Sequence, residues 1–388
     1  MAKVITSLYG ELAIIPRQSE VPIRETMEFL TDVMESYNGS EQRLQLRAKA
    51  RRTLAYSVPL HAAHVAGAFN TEWGGLRKEW AVPIWTESQY IGTVLENQNT
   101  LVCNTDYYDL RDDSLALLYT GCDEWQMLEI DTAEPGLLTL LNTTQPMKGC
   151  WLVPVRLGWI GDKIERPING YNGKSNILFE IDDTREYTPD AAVLQYAGDD
   201  FYTESGLLSG GNVDRIIEQR LDENDFDLGI IARRSPWSHA RIGTPYRQIL
   251  QGHEQVFKYK QFLQRRAGRF RRFWLPSFEI NMRVINTGEI GNKLIIRSDS
   301  YMEYAQNRKN IAIQLMSGDW YPMEIVSAIQ TSADIIELTL PYSLYVTKEY
   351  VARVSYMGLH RLDADRIELN WASNNTVDIE VRILELTP

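Results

Sequence analysis

Residues 170–175, Gly-Tyr-Asn-Gly-Lys-Ser, have the composition of a phosphate-binding loop. Such a loop needs four residues between its glycines, so that successive N–H groups wrap the phosphates. Ile168 stands where the first glycine belongs, and the segment reads as a β-turn between strands. Residues 222–227, Asp-Glu-Asn-Asp-Phe-Asp, look like a calcium loop. Phe226 falls where an oxygen ligand is needed, and Asp227 replaces the glycine of the bend. An acidic solvated turn is the plainer reading, with Asp222 and Asp225 at most adventitious cation ligands. His61 and His64 share a helix face at i, i+3, but no nearby Cys or His in the sequence completes a zinc set. His239, His253 and His360 are scattered, and there is no Gly-x-Ser-x-Gly elbow. No pair of carboxylates stands out for glycoside hydrolysis. The sequence therefore predicts no catalytic, cofactor or metal site.

One charged cluster remains. Arg265, Arg266, Arg269, Arg271 and Arg272 interleave with Phe270, Phe273 and Trp274. Basic residues among aromatics suit nucleic acid. The chain as a whole argues against that: 40 Lys+Arg face 52 Asp+Glu, a net charge of −12, and phosphate binding needs a positive field. The expectation is a basic contact surface for an acidic neighbour in an assembly, with a solvated helix face as the alternative.

These residues must be positioned by a chain of 388 residues, long enough for two or three domains. At 44% hydrophobic and 24% charged residues it can bury substantial cores. No apolar run reaches the length of a membrane span, and Met1 to Glu11 lacks the apolar run of a signal peptide. Cys103, Cys122 and Cys150 form an odd, sparse set, which suggests reduced thiols. Synthesis in the cytosol is expected.

The most informative pattern is an internal repeat. Residues 75–85 and 268–278 match at a spacing of 193: Gly75 with Gly268, Trp80 with Phe273, Pro83 with Pro276 and Trp85 with Phe278. Phe69 and Phe262 match upstream, and Asp106-x-Tyr108 and Asp299-x-Tyr301 downstream. Trp125 to Ile130 then matches Trp320 to Ile325 at 195. Leu152 to Val155 pairs with Val351 to Val354, followed by Gly158 and Gly358. The predicted organisation is an N-terminal arm and helix (1–44), a β-domain (45–185), a linker or arm (186–234) and a second β-domain (235–388).

Within each unit, short apolar runs separated by turn residues predict strands. Examples are 101–103, 115–119 and 137–141, then 293–297, 310–316 and 335–340. Terminal strands are expected at 176–181 and 377–384, and helices at 61–70 and 255–266. Met27, Leu30, Val33 and Met34 predict a further helix over 25–36, closed by Asn38-Gly39. The fold class is mainly β with a few helices: two tandem, similar small β-barrel or sandwich domains, each with one packed helix. Gly75 and Gly268 are expected to allow the turn from helix to strand, and Pro83 and Pro276 to sit at a strand edge or bulge. The other repeat or interface candidates are Trp125, Trp274 and Trp320.

Three blocks together resemble tail proteins of tailed bacteriophages. The first is Phe29-Leu30-Thr31-Asp32-Val33, then Ser36 to Arg43 and Arg51-Arg52. It is similar to a "WLTDV…Y(D/N)G(T/S)EQR…R" opening of minor tail and tail-tip proteins, with Phe29 in place of Trp. The second is Trp80 to Trp85, and the third is Phe262-Leu263 to Gly268, then Phe273 to Phe278. The resemblance implies a structural virion component of the tail tip, similar to a distal tail, hub or baseplate protein. It implies a homo-oligomeric ring, trimer or hexamer, contacting tail tube, tape-measure, hub, baseplate and fibre proteins. A trimer of a tandem pair would present six quasi-equivalent units. The segment 186–234, with Asp199-Asp200 and Gly206 to Gly211, and the segment 1–22 are candidate arms for reaching a neighbour. The alternative is a host-surface glycan binder, with Trp159 and Tyr171 expected on turns as stacking platforms.

Overall fold

The computed structural model describes residues 3–7, 9–169, 172–182, 193–205, 216–227, 229–237 and 240–386. Strands dominate. In the first half β1 (Glu20–Glu28), the hairpin β2 (Thr31–Glu35) and β3 (Glu41–Gln45), and β4 (Arg51–Leu60) lead into helix α1 (Ala62–Gly75). After α1 come β5 (Trp80–Pro83), β6 (Ser114–Gly121), β7 (Glu124–Glu134), β8 (Met147–Glu165), β9 (Ile168–Asn169) and β10 (Asn172–Ile181).

The second half has β11 (Ile216–Glu218), the hairpin β12 (Asp222–Asp225) and β13 (Ile231–Arg234), β14 (Arg241–Gln251) and helix α2 (His253–Arg266). It continues with β15 (Phe273–Pro276), β16 (Asn310–Leu315), β17 (Trp320–Glu324), β18 (Val351–Leu362), β19 (Arg366–Ser373) and β20 (Thr376–Glu385). No helix among the described residues is long and apolar enough to cross a membrane.

The pairings recur. β4 pairs with β10 as β14 pairs with β20. β8 takes β10, β5 and β6 as partners, and β18 takes β20, β15 and β16. β6–β7 and β16–β17 match, with Tyr119 opposite Trp125 and Gln314 opposite Trp320. Binary patterning explains the strands: β4 buries every second residue, Arg52, Leu54, Tyr56, Val58 and Leu60, and β20 buries Val377, Ile379, Val381 and Ile383. One large core draws on both halves, from Leu12 to Ile383. Each half adds a satellite core, around Leu118 and Leu128 in the first and Ile313 and Leu338 in the second.

Two expectations are corrected. Residues 25–36 are strands β1 and β2, not a helix. The helical spacing of Met27, Leu30 and Met34 loses to pairing: β1 has β4 on one edge and β19 on the other. Gly39, at φ +88°, makes the β2–β3 turn rather than a helix cap. The match of Gly158 with Gly358 slips by two. Pro83 faces Val155 and Pro276 faces Met357, so the partner of Gly158 in the second half is His360.

Candidate assembly surfaces

The halves join through β1. It lies antiparallel between β4 of the first half and β19 of the second, so the sheet runs on from one half to the other. Glu25 on β1 is fully buried there. Its carboxylate accepts from Arg52 Nε at 2.7 Å, from Trp371 Nε1 at 3.0 Å, and lies 2.8 Å from Lys260 Nζ of α2. Arg52 Nη1 also donates to Asp109 at 3.0 Å, and Asp109 accepts from Arg111 and Arg156 at 2.7 Å each. Glu87 completes the set, accepting the Asp109 N–H and lying 3.8 Å from Lys260. Burial alone would raise the Glu25 carboxyl; Arg52 and Lys260 outweigh it and pull the group down to about 2. Burial likewise opposes the ionised Asp109, and Arg156, Arg52 and Arg111 hold it well below the usual carboxylate range. A buried network adds little stability over a hydrophobic one, but losing one partner strands a charge.

A second tie lies beside it, where Asp365 and Arg269 join the first resemblance block to the third. Asp365 accepts the backbone N–H of Thr31 at 2.8 Å and of Arg269 at 2.9 Å, and its own carbonyl accepts from Phe29 N. Arg269 also donates to the Thr31 carbonyl at 3.0 Å. Gly268, at φ +67°, sits against Phe29 and Asp365, where a Cβ would collide with both. Arg361 grips Glu41 with two hydrogen bonds, at 2.8 and 2.9 Å.

The predicted site residues divide accordingly. Trp80, Trp85 and Phe273 are core. Trp125, Trp274, Phe278 and Trp320 are half-buried, and Phe278 meets Trp320 edge-on at 5.7 Å. Pro83 and Pro276 end their strands. Gly75 is constrained differently from Gly268: its φ is not positive, but the Trp80 ring fills the space a Cβ would need, and Trp80 Nε1 donates to its carbonyl at 2.9 Å.

The arginine cluster is largely met within the chain. Arg265 reaches Asp200 at 2.6 Å, Arg266 bonds to the same carboxylate, and Arg272 meets Asp199 at 3.0 Å. Arg269 serves Asp365, and Arg271 is exposed. The acidic partner of the cluster is thus the segment expected to be an arm. Residues 193–205 fold back instead, with Tyr202 N donating to the Trp274 carbonyl. Gly206 to Gly211 lie outside the described residues. Between arm and cluster lies a cavity of about 580 Å³ lined by charges of both signs, including Arg43, Arg271 and Asp199.

The remaining candidates are also placed. Trp159 is on strand β8, not on a turn, and is partly exposed; Tyr171 lies outside the described residues. The run expected as an acidic turn is instead strand β12 over Asp222–Asp225, paired with β13, where Glu223 bonds to Arg233; Asp225 accepts the N–H of Asp227 at its end. Folding brings Cys122 and Asp123, from the β6–β7 turn, to His64, with donor atoms within 4.8 Å of one another. His64 Nδ1 is buried without a hydrogen-bond partner. These are zinc-type donors, one short of a closed four-ligand site, and sequence distance hid them. The junction charges were also missed, because Glu25, Arg52, Asp109, Arg156 and Lys260 carry no local motif.

No protein-family model matches the chain, and no relative was found among curated proteins.

Proposed function

We propose that the chain is a structural protein of a bacteriophage tail tip or baseplate, built as two tandem similar units and oligomerising around the tail axis. It would join the tail tube to hub and fibre-bearing parts. The observation that carries this reading is the junction at β1. The two halves meet through unlike edges, the β4 side of the first and the β19 side of the second. Such a head-to-tail contact, repeated between copies, closes into a ring when its rotation permits. The resemblance blocks support the same reading, since the first and third meet beside this junction, Gly268 against Phe29 and Thr31 bonded to the Ala267 carbonyl, with Asp365 tying both.

Light scattering of the purified protein, alone and with tail-tube and hub proteins, tests it. A discrete trimer or hexamer, or a ring formed with those partners, is expected. A persistent monomer that ignores them overturns the reading. A polysaccharide screen then tests the glycan-binding alternative, with partly exposed Trp159 as the residue to substitute.

A further inference from the structure

The second half repeats the seat that β1 occupies in the first, but among the described residues its far side is open. β1 lies beside β4 with Met27 opposite Arg52 and Glu28 opposite Arg51. β11 lies beside β14 with Ile217 opposite Ile242 and Glu218 opposite Arg241. Each strand leads into a hairpin with a positive-φ glycine at its turn, Gly39 or Gly229, and each hairpin is followed by the long strand β4 or β14. The outer edge of β1 holds β19; among the described residues, the outer edge of β11 holds nothing. Ile216 and Ile217 are exposed there, the latter 72%.

Among the described residues, the counterpart of β19 in the first half is also bare. Residues 162–165 read Asp-Lys-Ile-Glu, and residues 365–368 read Asp-Arg-Ile-Glu. Each stretch precedes the turn into the last strand of its half, and each carries the same ion pair, Lys163–Glu165 at 2.7 Å and Arg366–Glu368 at 3.1 Å. Arg366 to Trp371 pair with β1. Lys163 to Ile168 pair only inward, with β10, among the described residues, and Ile168 is exposed.

The helices tell the same story. α1 and α2 have equal length, and both bury the aligned positions Ala68 and Tyr259, Glu72 and Leu263, and Gly75 and Arg266, with Val65 partly buried where Val256 is fully so. The sharpest difference is at the place held by Phe69 in α1, exposed, and Lys260 in α2, buried. Lys260 is buried against Glu25 and Glu87 across the junction. Phe69 is exposed and stacked on Trp73, itself 75% exposed. Glu87 lies four residues after Pro83; four after Pro276 stands Ile280, also exposed. Where the junction holds an ionic contact, the corresponding places thus carry exposed apolar side chains.

We infer that these surfaces are the two sides of a contact between copies of this chain. The Lys163–Ile168 edge and the Phe69–Trp73 face of one copy dock on β11 and the Ile280 loop of the next, in the geometry of the internal junction. By the register of β1 with β19, Lys163 then stands opposite Glu218 and Glu165 opposite Ile216. Opposite charges and β-branched residues meet across the ladder. This names the partner surface of the ring reading above and rests on it.

The test is a double-cysteine variant, Glu165→Cys with Ile216→Cys, in the full chain at assembling concentration. Oxidation should give a ladder of covalent multimers on a denaturing gel, lost on reduction. Glu165→Cys alone should not give a ladder beyond dimers. Independently, Trp73→Asp should weaken self-association at least tenfold by light scattering while the melting curve stays unchanged. Rings that form normally but neither cross-link nor respond to Trp73→Asp overturn this surface and leave the ring reading standing. A chain that remains monomeric with and without tail proteins overturns both.

Discussion

α1 and α2 bury three aligned positions alike, Ala68 with Tyr259, Glu72 with Leu263 and Gly75 with Arg266, and differ most sharply at Phe69 and Lys260. Phe69 looks outward from α1; Lys260 is sealed at the junction, within reach of Glu25 and Glu87. Under the contact between copies proposed above, the difference separates a contact made within one chain from one made between chains. Inside one chain the contact forms once, so it can carry buried charges whose strict geometry fixes register. A surface that must also exist unpaired cannot carry stripped charges; apolar side chains at a sheet edge tolerate water before contact and exclude it afterwards.

The largest effect is expected from breaking the ionic side of that comparison. Asp109→Ala removes the buried carboxylate shared by Arg52, Arg111 and Arg156, with Arg156 itself sealed from solvent, and should cost about 3–5 kcal/mol in denaturant unfolding. An unchanged midpoint would show that the network does not hold the junction. Next, Trp85→Ala should cost about 3–5 kcal/mol and Phe278→Ala clearly less, because Trp85 is core and its counterpart is half-buried. Equal losses would mean that the two positions are packed alike. Gly268→Ala should then cost about 1–3 kcal/mol through its left-handed backbone and the collision with Asp365 and Phe29. Gly75→Ala should act by displacing the Trp80 ring, visible as a change in tryptophan fluorescence.

The last test is a matter of pH. The Glu25 carboxyl is held at about 2, below its unfolded value, so its contribution is complete above the ordinary carboxylate range. It is lost as pH falls from there toward 2. Glu25→Gln should flatten that acid limb of the stability curve. A limb that keeps its slope assigns it to other carboxylates.

Strand pattern and the shared glycines, prolines and aromatics made the mainly β class and both long helices legible in the sequence. What stayed hidden was decided at a distance. β1 looked helical because Met27, Leu30 and Met34 keep a helical spacing, while its pairing partners lie around residues 52 and 367. The arginine cluster looked like a free basic surface because Asp199, Asp200 and Asp365 are remote in sequence. The Phe69–Phe262 match kept the spacing of the later prolines, whereas the extra residues lie after α2, in the turn to β15; the helices themselves align Phe69 with Lys260. One usable signal was present: Asp-Lys-Ile-Glu at 162 and Asp-Arg-Ile-Glu at 365 mark the two strands on which the junction and its open counterpart depend.

The place of β1 also sets an order of events at the ribosome. Its partner β19 is made some 340 residues later, which at typical elongation rates is roughly 20–70 s. Over that interval the first half can fold around β4 and β10 with one edge of β1 bare. A nascent chain in a polysome then displays the very strand that a neighbouring copy's finished β19 would fit. Correct closure is a race between the chain's own last strands and those of its neighbours, so slow synthesis of residues 366–385 should raise the yield of swapped dimers.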